Sequence, residues 1–205
     1  MRPRHYNPAI DILFVCTGNM CRSPMAEVLL RRRLDQRGID AQVRSAGLTR
    51  AGSAAAEPAV QAMREFGLDL AAHESRMLSA PMVECSDLVI GLAREHVREV
   101  VLVGPGAFGR TFTLKELVRR GHDLGCRHSD ESLAAWLERL NAGRSRVAHL
   151  GDSADDDVDD PIGRRAAVYE RVADELSELV DQFVALAWPI DDEISPPDSS
   201  ELATT

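Results

Sequence analysis

Residues 10–30 constrain the fold of this chain more than any other stretch. Ile10, Asp11, Ile12, Leu13, Phe14 and Val15 make a largely apolar, β-branched run of strand length. It runs into the turn-prone loop Cys16-Thr17-Gly18-Asn19-Met20-Cys21-Arg22. Ser23-Pro24 then carries helix-start signals, a hydroxyl N-cap followed by proline at the first helical position. A strand that ends in such a loop and enters a helix can aim several backbone N–H groups at one point, where the helix N-terminus adds positive potential. An anion, phosphate above all, is stabilised there.

Cys16 falls at the bottom of that cradle, and the field that attracts phosphate also favours a thiolate, the nucleophilic form of cysteine. Arg22 falls on the far rim, where its planar fork can hold two phosphoryl oxygens and their developing charge. Cysteine attacks while arginine clamps. The plainer alternative, a buried thiol and an unrelated surface arginine, leaves their joint spacing in a Gly/Asn loop without a reason.

Composition narrows the setting. The 205 residues suffice for one substantial core, and with 4% aromatic residues that core must be built mostly of Leu, Val, Ile and Ala, which suits a parallel sheet covered by helices. No apolar run reaches the ~18–20 residues of a membrane span, and no signal-peptide pattern opens the chain, so the expectation is a cytoplasmic protein without a membrane partner. The net charge of −9 is localised: six acids fall in residues 152–160 and five in 191–201, leaving the rest nearly balanced. No basic patch of nucleic-acid type stands out, and Arg31-Arg32-Arg33 reads as the solvated face of the first helix. Four cysteines are too few for a disulfide framework in a chain this long; Cys85 and Cys126 read as structural thiols. Neither G-x-G-x-x-G nor G-K-[ST] follows the first strand, which argues against nucleotide-binding folds.

Along the chain, residues 1–9 read as a flexible arm. Helix is expected over 24–37, strand over 41–45, helix over 58–66 and an irregular link over 68–76. A short helix at 80–85 precedes a third strand at 87–92, then helix over 93–102, strand over 110–114 and a short helix at 115–120. Strands alternating with helices argue for βαβ units and a parallel sheet. Residues 121–159 read as an inserted helical excursion; Leu133, Trp136, Leu137 and Leu140 have helical spacing, and Trp136 either shapes access to a site or, the better-supported reading, fills a core gap. The acidic run 152–159 lacks the Gly and Glu of an EF-hand calcium loop and reads as a solvated, mobile loop. A long helix over 164–187 carries Val172, Leu176, Leu179, Phe183 and Leu186 on one face, and residues 189–205 form an acidic, Pro/Ser-rich tail expected to be disordered.

The string Val15-Cys16-Thr17-Gly18-Asn19-Met20-Cys21-Arg22-Ser23-Pro24-Met25-Ala26-Glu27 resembles the low-molecular-weight protein-tyrosine-phosphatase family, and Ser45-Ala46-Gly47 and Asp160-Pro161 match further parts of its pattern. The resemblance covers about 10–117 and 160–187. It implies a three-layer α/β fold with a four-stranded parallel sheet in flavodoxin-like order 2-1-3-4, one domain over 10–188, and cofactor-free hydrolysis of phosphorylated protein through a phosphocysteine, with no metal. It further implies Cys16, Arg22 and Asp160 as catalytic residues, with Asp159 as the fallback acid. Thr17, Gly18, Asn19, Met20, Cys21 and Ser23 would form the phosphate loop, with Ser23 assisting the thiolate. Ser45 and His73 would support that loop, His73 bonding towards Asn19 and Ser45.

Cys21 would be either a reversible disulfide partner of Cys16 or a space-filling thiol. The flanking sequence 112–118 and the Asp-Pro-x-Gly opening of the last helix look especially like bacterial protein-arginine phosphatases. Two positions depart: Met20 stands where those carry Thr and many tyrosine phosphatases Ile, and Ile162 where an aromatic commonly walls the substrate. Met20 favours phosphotyrosine, in a pocket loosened by Ile162. Competing readings are an arginine phosphatase, an arsenate reductase on the same fold, a weak phosphate-binding regulator, or a structural zinc site through Cys16, Cys21, Cys126 and His128. No signal for an oligomeric state was found.

Overall fold

The structure is a computed structural model and describes residues 10–190. Four parallel strands, β1 (Ile10–Cys16), β2 (Ala41–Gly47), β3 (Leu88–Gly91) and β4 (Thr111–Thr113), form one sheet in the order β2-β1-β3-β4. Among the described residues the α-helices are α1 (Arg22–Gln36), α2 (Glu57–Glu65), α3 (Ala80–Cys85), α4 (Arg94–Val103), α5 (Leu114–Leu124), α6 (Leu133–Asn141) and α7 (Ala166–Ala187). None is long and apolar enough to cross a membrane. The arm expected at 1–9 and nearly all of the tail expected at 189–205 lie outside the described residues.

β1 is central because it is apolar on both faces. Ile12, Phe14 and Cys16 join the larger apolar cluster with α1, α2, α5, α6 and α7, whereas Leu13 and Val15 join Val83 of α3 and Val100 of α4 on the opposite face. β1 pairs with β2 on one side and β3 on the other, so the chain leaves it in opposite directions. At such a switch point the loops beyond the strand ends diverge and open a crevice. Cys16, the last residue of β1, sits at that crevice.

The last helix buries Val172, Leu176, Phe183 and Leu186 as its spacing predicts, whereas Leu179, expected on the same face, is only partly buried. Trp136 is fully buried and stacks on Phe183 with ring centroids 6.5 Å apart, so it fills the core. Its indole N–H donates to the carbonyl of Gly125, which satisfies the one polar atom that burial would otherwise orphan.

Several expectations fail where long-range contacts decide. α5 continues to Leu124, so the excursion starts later than residue 121. Arg31, Arg32 and Arg33 are not simply a solvated face: they donate to Glu27 and the Val43 carbonyl, to the Phe66 carbonyl, and to Asp181 respectively. The acidic run is irregular and exposed at Asp152, Asp155 and Asp159, but its middle is not solvated. Asp156 is 3% exposed and paired with both Arg94 and Arg119, while Asp157 accepts from the backbone N–H groups of Arg94 and Ser153. Cys85 and Cys126, expected to be structural, are both exposed.

Candidate active site

The expected N-cap is the first correction at the loop. α1 begins at Arg22, Cys21 precedes it, and no side chain caps it. The Ser23 hydroxyl is engaged elsewhere: Oγ lies 2.9 Å from Cys16 Sγ and accepts a 2.9 Å hydrogen bond from Asn19 Nδ2. Cys16 Sγ also accepts from the Asn19 backbone N–H at 3.2 Å. With the sulfur as a thiolate, which can only accept, the Ser23 hydroxyl and the Asn19 N–H would both donate to it and stabilise its charge.

Asn19 holds the loop's shape. It adopts φ 51°, left-handed backbone that an L-residue takes at a cost and that Asn tolerates better than most. The conformation is held from several sides. Nδ2 also donates to Ser45 Oγ at 2.8 Å, Oδ1 accepts from the Arg76 N–H at 2.9 Å, and the carbonyl accepts from His73 Nε2 at 2.7 Å. His73 thus reaches Asn19 as expected, but no bond joins it to Ser45. Ser45 donates instead to Glu27 Oε2 at 2.6 Å. Glu27 was missed as a support; the clue was an acid on the buried side of α1 within the recognised motif. Gly47 follows the same logic: a Cβ there would lie 2.9 Å from the Asn19 backbone nitrogen and from the Gly18 carbonyl carbon, so only glycine lets β2 pass this close.

The Arg22 side chain is buried, and both its terminal nitrogens have partners. Nη1 donates to the Val158 carbonyl at 3.2 Å, and Nη2 to Thr17 Oγ1 at 3.1 Å and Asp160 Oδ2 at 2.6 Å. Thr17 is braced in turn by Glu95 and His96, each 3.1 Å away. His96 is fully buried; burial first, then the positive charges of Arg22 and Arg98, push its pKa down to about 3. It is therefore a neutral imidazole at pH 7, a network partner with no charge to set against Arg22. A proton on Nε2 serves Thr17 or Glu95 and leaves Nδ1, which has no partner, with only a lone pair buried.

Asp160 is held by its own turn. Its Oδ1 accepts from the Ile162 N–H two residues on at 3.1 Å, across Pro161, an Asx turn that aims the carboxylate back at Arg22. Asp159 points elsewhere, pairing with Arg171 on the surface. The cleft above Cys16 has a volume of about 420 Å³; Met20 and Ile162 are its apolar walls, and Thr49 and Arg50, neither foreseen, complete the rim. Cys21 also lines it, its thiol pushed up to about 12 by burial and then by Cys16, against an opposing hydrogen bond from Tyr169. Among the described residues no three His, Cys, Asp or Glu side chains gather as a metal site would require, so the zinc alternative through Cys126 and His128 is not assembled.

A sulfur beside a hydroxyl and an amide donor, a guanidinium facing the same cleft and a carboxylate at its mouth, at the switch point of a parallel sheet, are an arrangement chemically suited to phosphoryl transfer. The comparisons agree. The profile of the family described as low molecular weight phosphotyrosine protein phosphatase matches residues 11–130. A protein-arginine-phosphatase of Bacillus subtilis is 33% identical over 85% of this chain and 94% of its own. A low molecular weight protein tyrosine phosphatase from T. tengcongensis superposes with a TM-score of 0.65 at 31% identity, covering 86% of this chain and 98% of that one. An arginine phosphatase mutant with a phosphorylated active-site serine superposes with a TM-score of 0.64 at 30% identity, over 84% and 92% of the two chains. The chain belongs to the low molecular weight phosphotyrosine protein phosphatase family and is an enzyme of it, a phosphoprotein phosphatase.

Proposed function

We propose that this enzyme hydrolyses phosphotyrosine in proteins through a phosphocysteine on Cys16. The Cys16 thiolate attacks phosphorus, and the phosphorus–oxygen bond to the tyrosine breaks. Asp160 gives its proton to the leaving phenolate oxygen, and Arg22 with the loop N–H groups holds the equatorial oxygens. Water then attacks the phosphocysteine, its proton returns to Asp160, and the sulfur leaves as a thiolate stabilised by Ser23. The observation that carries this reading is the convergence of Cys16, Arg22 and Asp160 on one cleft, with Asp160 2.6 Å from Arg22. Support for the covalent step also comes from the relative whose active-site serine carries the phosphoryl group.

Met20 supports the choice of phosphoresidue. Its polarizable thioether faces the cleft and suits an aromatic ring, whereas it offers no acceptor to a guanidinium. The protein-arginine reading keeps one specific support, the match to the B. subtilis enzyme along nearly its whole length. Four free cysteines among the described residues suit a reducing compartment, in keeping with a cytoplasmic enzyme. Single-turnover assays with phosphotyrosine, phosphoarginine and arsenate decide: the fastest phosphate release from phosphotyrosine is expected, and faster release from phosphoarginine overturns the choice of substrate. Arsenate-dependent thiol consumption without phosphate release would make the protein a reductase instead.

A further inference from the structure

Most arginines of this protein are tied to other elements by their side chains: Arg32 to Phe66, Arg37 to Trp188, Arg98 to His149, Arg110 to Val83, Arg120 to Ala142 and Arg127 to Glu131, all through carbonyls. Arg50 is an exception placed where it matters. It lines the catalytic cleft, it is exposed, and its guanidinium has no hydrogen bond or ion pair among the described residues. At the cleft Arg22 and Asp160 are paired with each other, so Arg50 adds to the rim a positive charge that no side chain there engages.

Its backbone is not free. The loop after β2 is stitched to the phosphate loop by the Leu48 N–H and the Thr49 hydroxyl, both donating to the Thr17 carbonyl. Ser75 holds the next turn, donating from Oγ to the Arg50 carbonyl at 3.4 Å and accepting from the Ser53 N–H at 2.9 Å. A fixed backbone that presents an unpaired guanidinium at the edge of a cleft is organised for an external partner. Ile162 lines the same cleft, and just beyond it in the chain stand Arg164 and Arg165, both exposed and likewise without side-chain partners among the described residues. The acids beside them are already spent: Asp159 on Arg171 and Asp160 on Arg22. Glu95, under Thr17, and Glu74, beside Gly52, oppose this field from neighbouring elements without lining the cleft.

We infer that Arg50, with Arg164 and Arg165 just beyond Ile162, selects phosphoproteins that carry Asp or Glu within a few residues of the phosphorylated side chain. The inference rests on the phosphatase reading above. Once the phosphoryl group is seated over Cys16, the substrate backbone on either side must run out past the rim of the cleft. Carboxylates there meet guanidinium forks, and lysines or arginines meet like charge. Exposed pairs of this kind act through encounter rate and weak contacts, so the preference is screened by salt.

The test uses the full chain and peptides of one length with acidic, neutral or basic flanks, in a phosphotyrosine series and a phosphoarginine series, with para-nitrophenyl phosphate as a flankless control. At low ionic strength kcat/KM is expected to be about tenfold higher for acidic than for basic flanks, falling towards parity as salt rises. In Arg50→Glu, and separately in Arg164→Glu/Arg165→Glu, that ratio should fall about threefold or more; taken within each variant, it is insensitive to any general loss of activity. Equal rates on acidic and basic flanks at low salt, or a ratio untouched by both variants, overturn the inference. Failure to hydrolyse the control and both series would instead overturn the phosphatase reading.

Discussion

Arg22 Nη2 lies 2.6 Å from Asp160 Oδ2, although 138 residues separate them in the chain. The guanidinium that would clamp the phosphoryl group is thus also the anchor of the carboxylate that would protonate the leaving oxygen. On the proposed mechanism a phosphoryl group entering the loop would compete with Asp160 for that guanidinium, and in doing so would set the acid beside the bond to be broken.

Asp160→Asn should accordingly separate binding from chemistry. Turnover should drop by about 10²–10⁴, the cost of losing a general acid, and drop less for substrates whose leaving groups need little protonation. Vanadate should bind at least as tightly as to the unmodified protein, because a competing carboxylate is gone. Leaving-group series and vanadate titration read the two halves; an equal loss for poor and good leaving groups would move the acid elsewhere.

The proposed preference for phosphotyrosine turns on two walls of the cleft, Met20 and Ile162. Met20→Thr should shift selectivity towards phosphoarginine by supplying a hydroxyl where a thioether now stands. Ile162→Tyr should raise kcat/KM for phosphotyrosine, since ring stacking contributes ~0.5–1.5 kcal/mol, or roughly two- to tenfold. Paired kcat/KM measurements on both phosphoresidues check this, and a Met20→Thr enzyme of unchanged selectivity would remove position 20 from the account.

The strand, loop and helix around Cys16 were legible because their signals are local: a largely apolar, β-branched run, a Gly/Asn loop and a proline at the helix start. The sheet order followed from the resemblance. What the sequence hid was side-chain partnership. Ser23 has the composition of an N-cap, but Cys16 and Asn19 compete for its hydroxyl and win. Asp156 sits in an acid run that looks solvated, yet Arg94 and Arg119, some 60 and 40 residues away in sequence, turn it into a buried anchor for the segment that delivers Val158 and Asp160. The same holds for Arg144, which no local pattern marks. Its side chain is buried over the rings of Phe108 and Phe112 and pairs with Glu116.

That last cluster predicts how acid unfolds the protein. Burial alone would raise the Glu116 pKa, but hydrogen bonds from His149 and Arg144 outweigh it and bring the value down from 4.5 to about 2. A carboxylate depressed in the folded state contributes stability that is present above the unfolded pKa and lost as pH falls through the folded one. Stability should therefore decline between about pH 4.5 and 2, by roughly 3 kcal/mol from this group. Denaturant titrations across that window check it. Glu116→Gln should be less stable at pH 7 and should lose this part of the acid dependence; an unchanged pH profile would contradict the assignment.

Cys21 bears on oxidation. With its pKa pushed up to about 12, almost none is thiolate at pH 7, and the thiolate is the form that would attack an oxidised Cys16. Peroxide at pH 7 should therefore leave much of Cys16 over-oxidised, with Cys16–Cys21 disulfide gaining ground as pH rises. Peptide mapping after peroxide treatment at pH 7 and pH 9 reads the partition. Complete disulfide formation at pH 7 would show that oxidation of Cys16, which removes the second cause of the shift, frees Cys21 to react.

The most direct measurement is the mass of the enzyme caught during turnover. Asp160→Asn, mixed with a phosphorylated substrate bearing a good leaving group and quenched within a turnover, should carry one phosphoryl group, and peptide mapping should place it on Cys16. The same experiment with Cys16→Ala/Asp160→Asn should show no adduct and no burst of leaving group. A full burst without any adduct, or an adduct on another residue, would contradict covalent catalysis by Cys16.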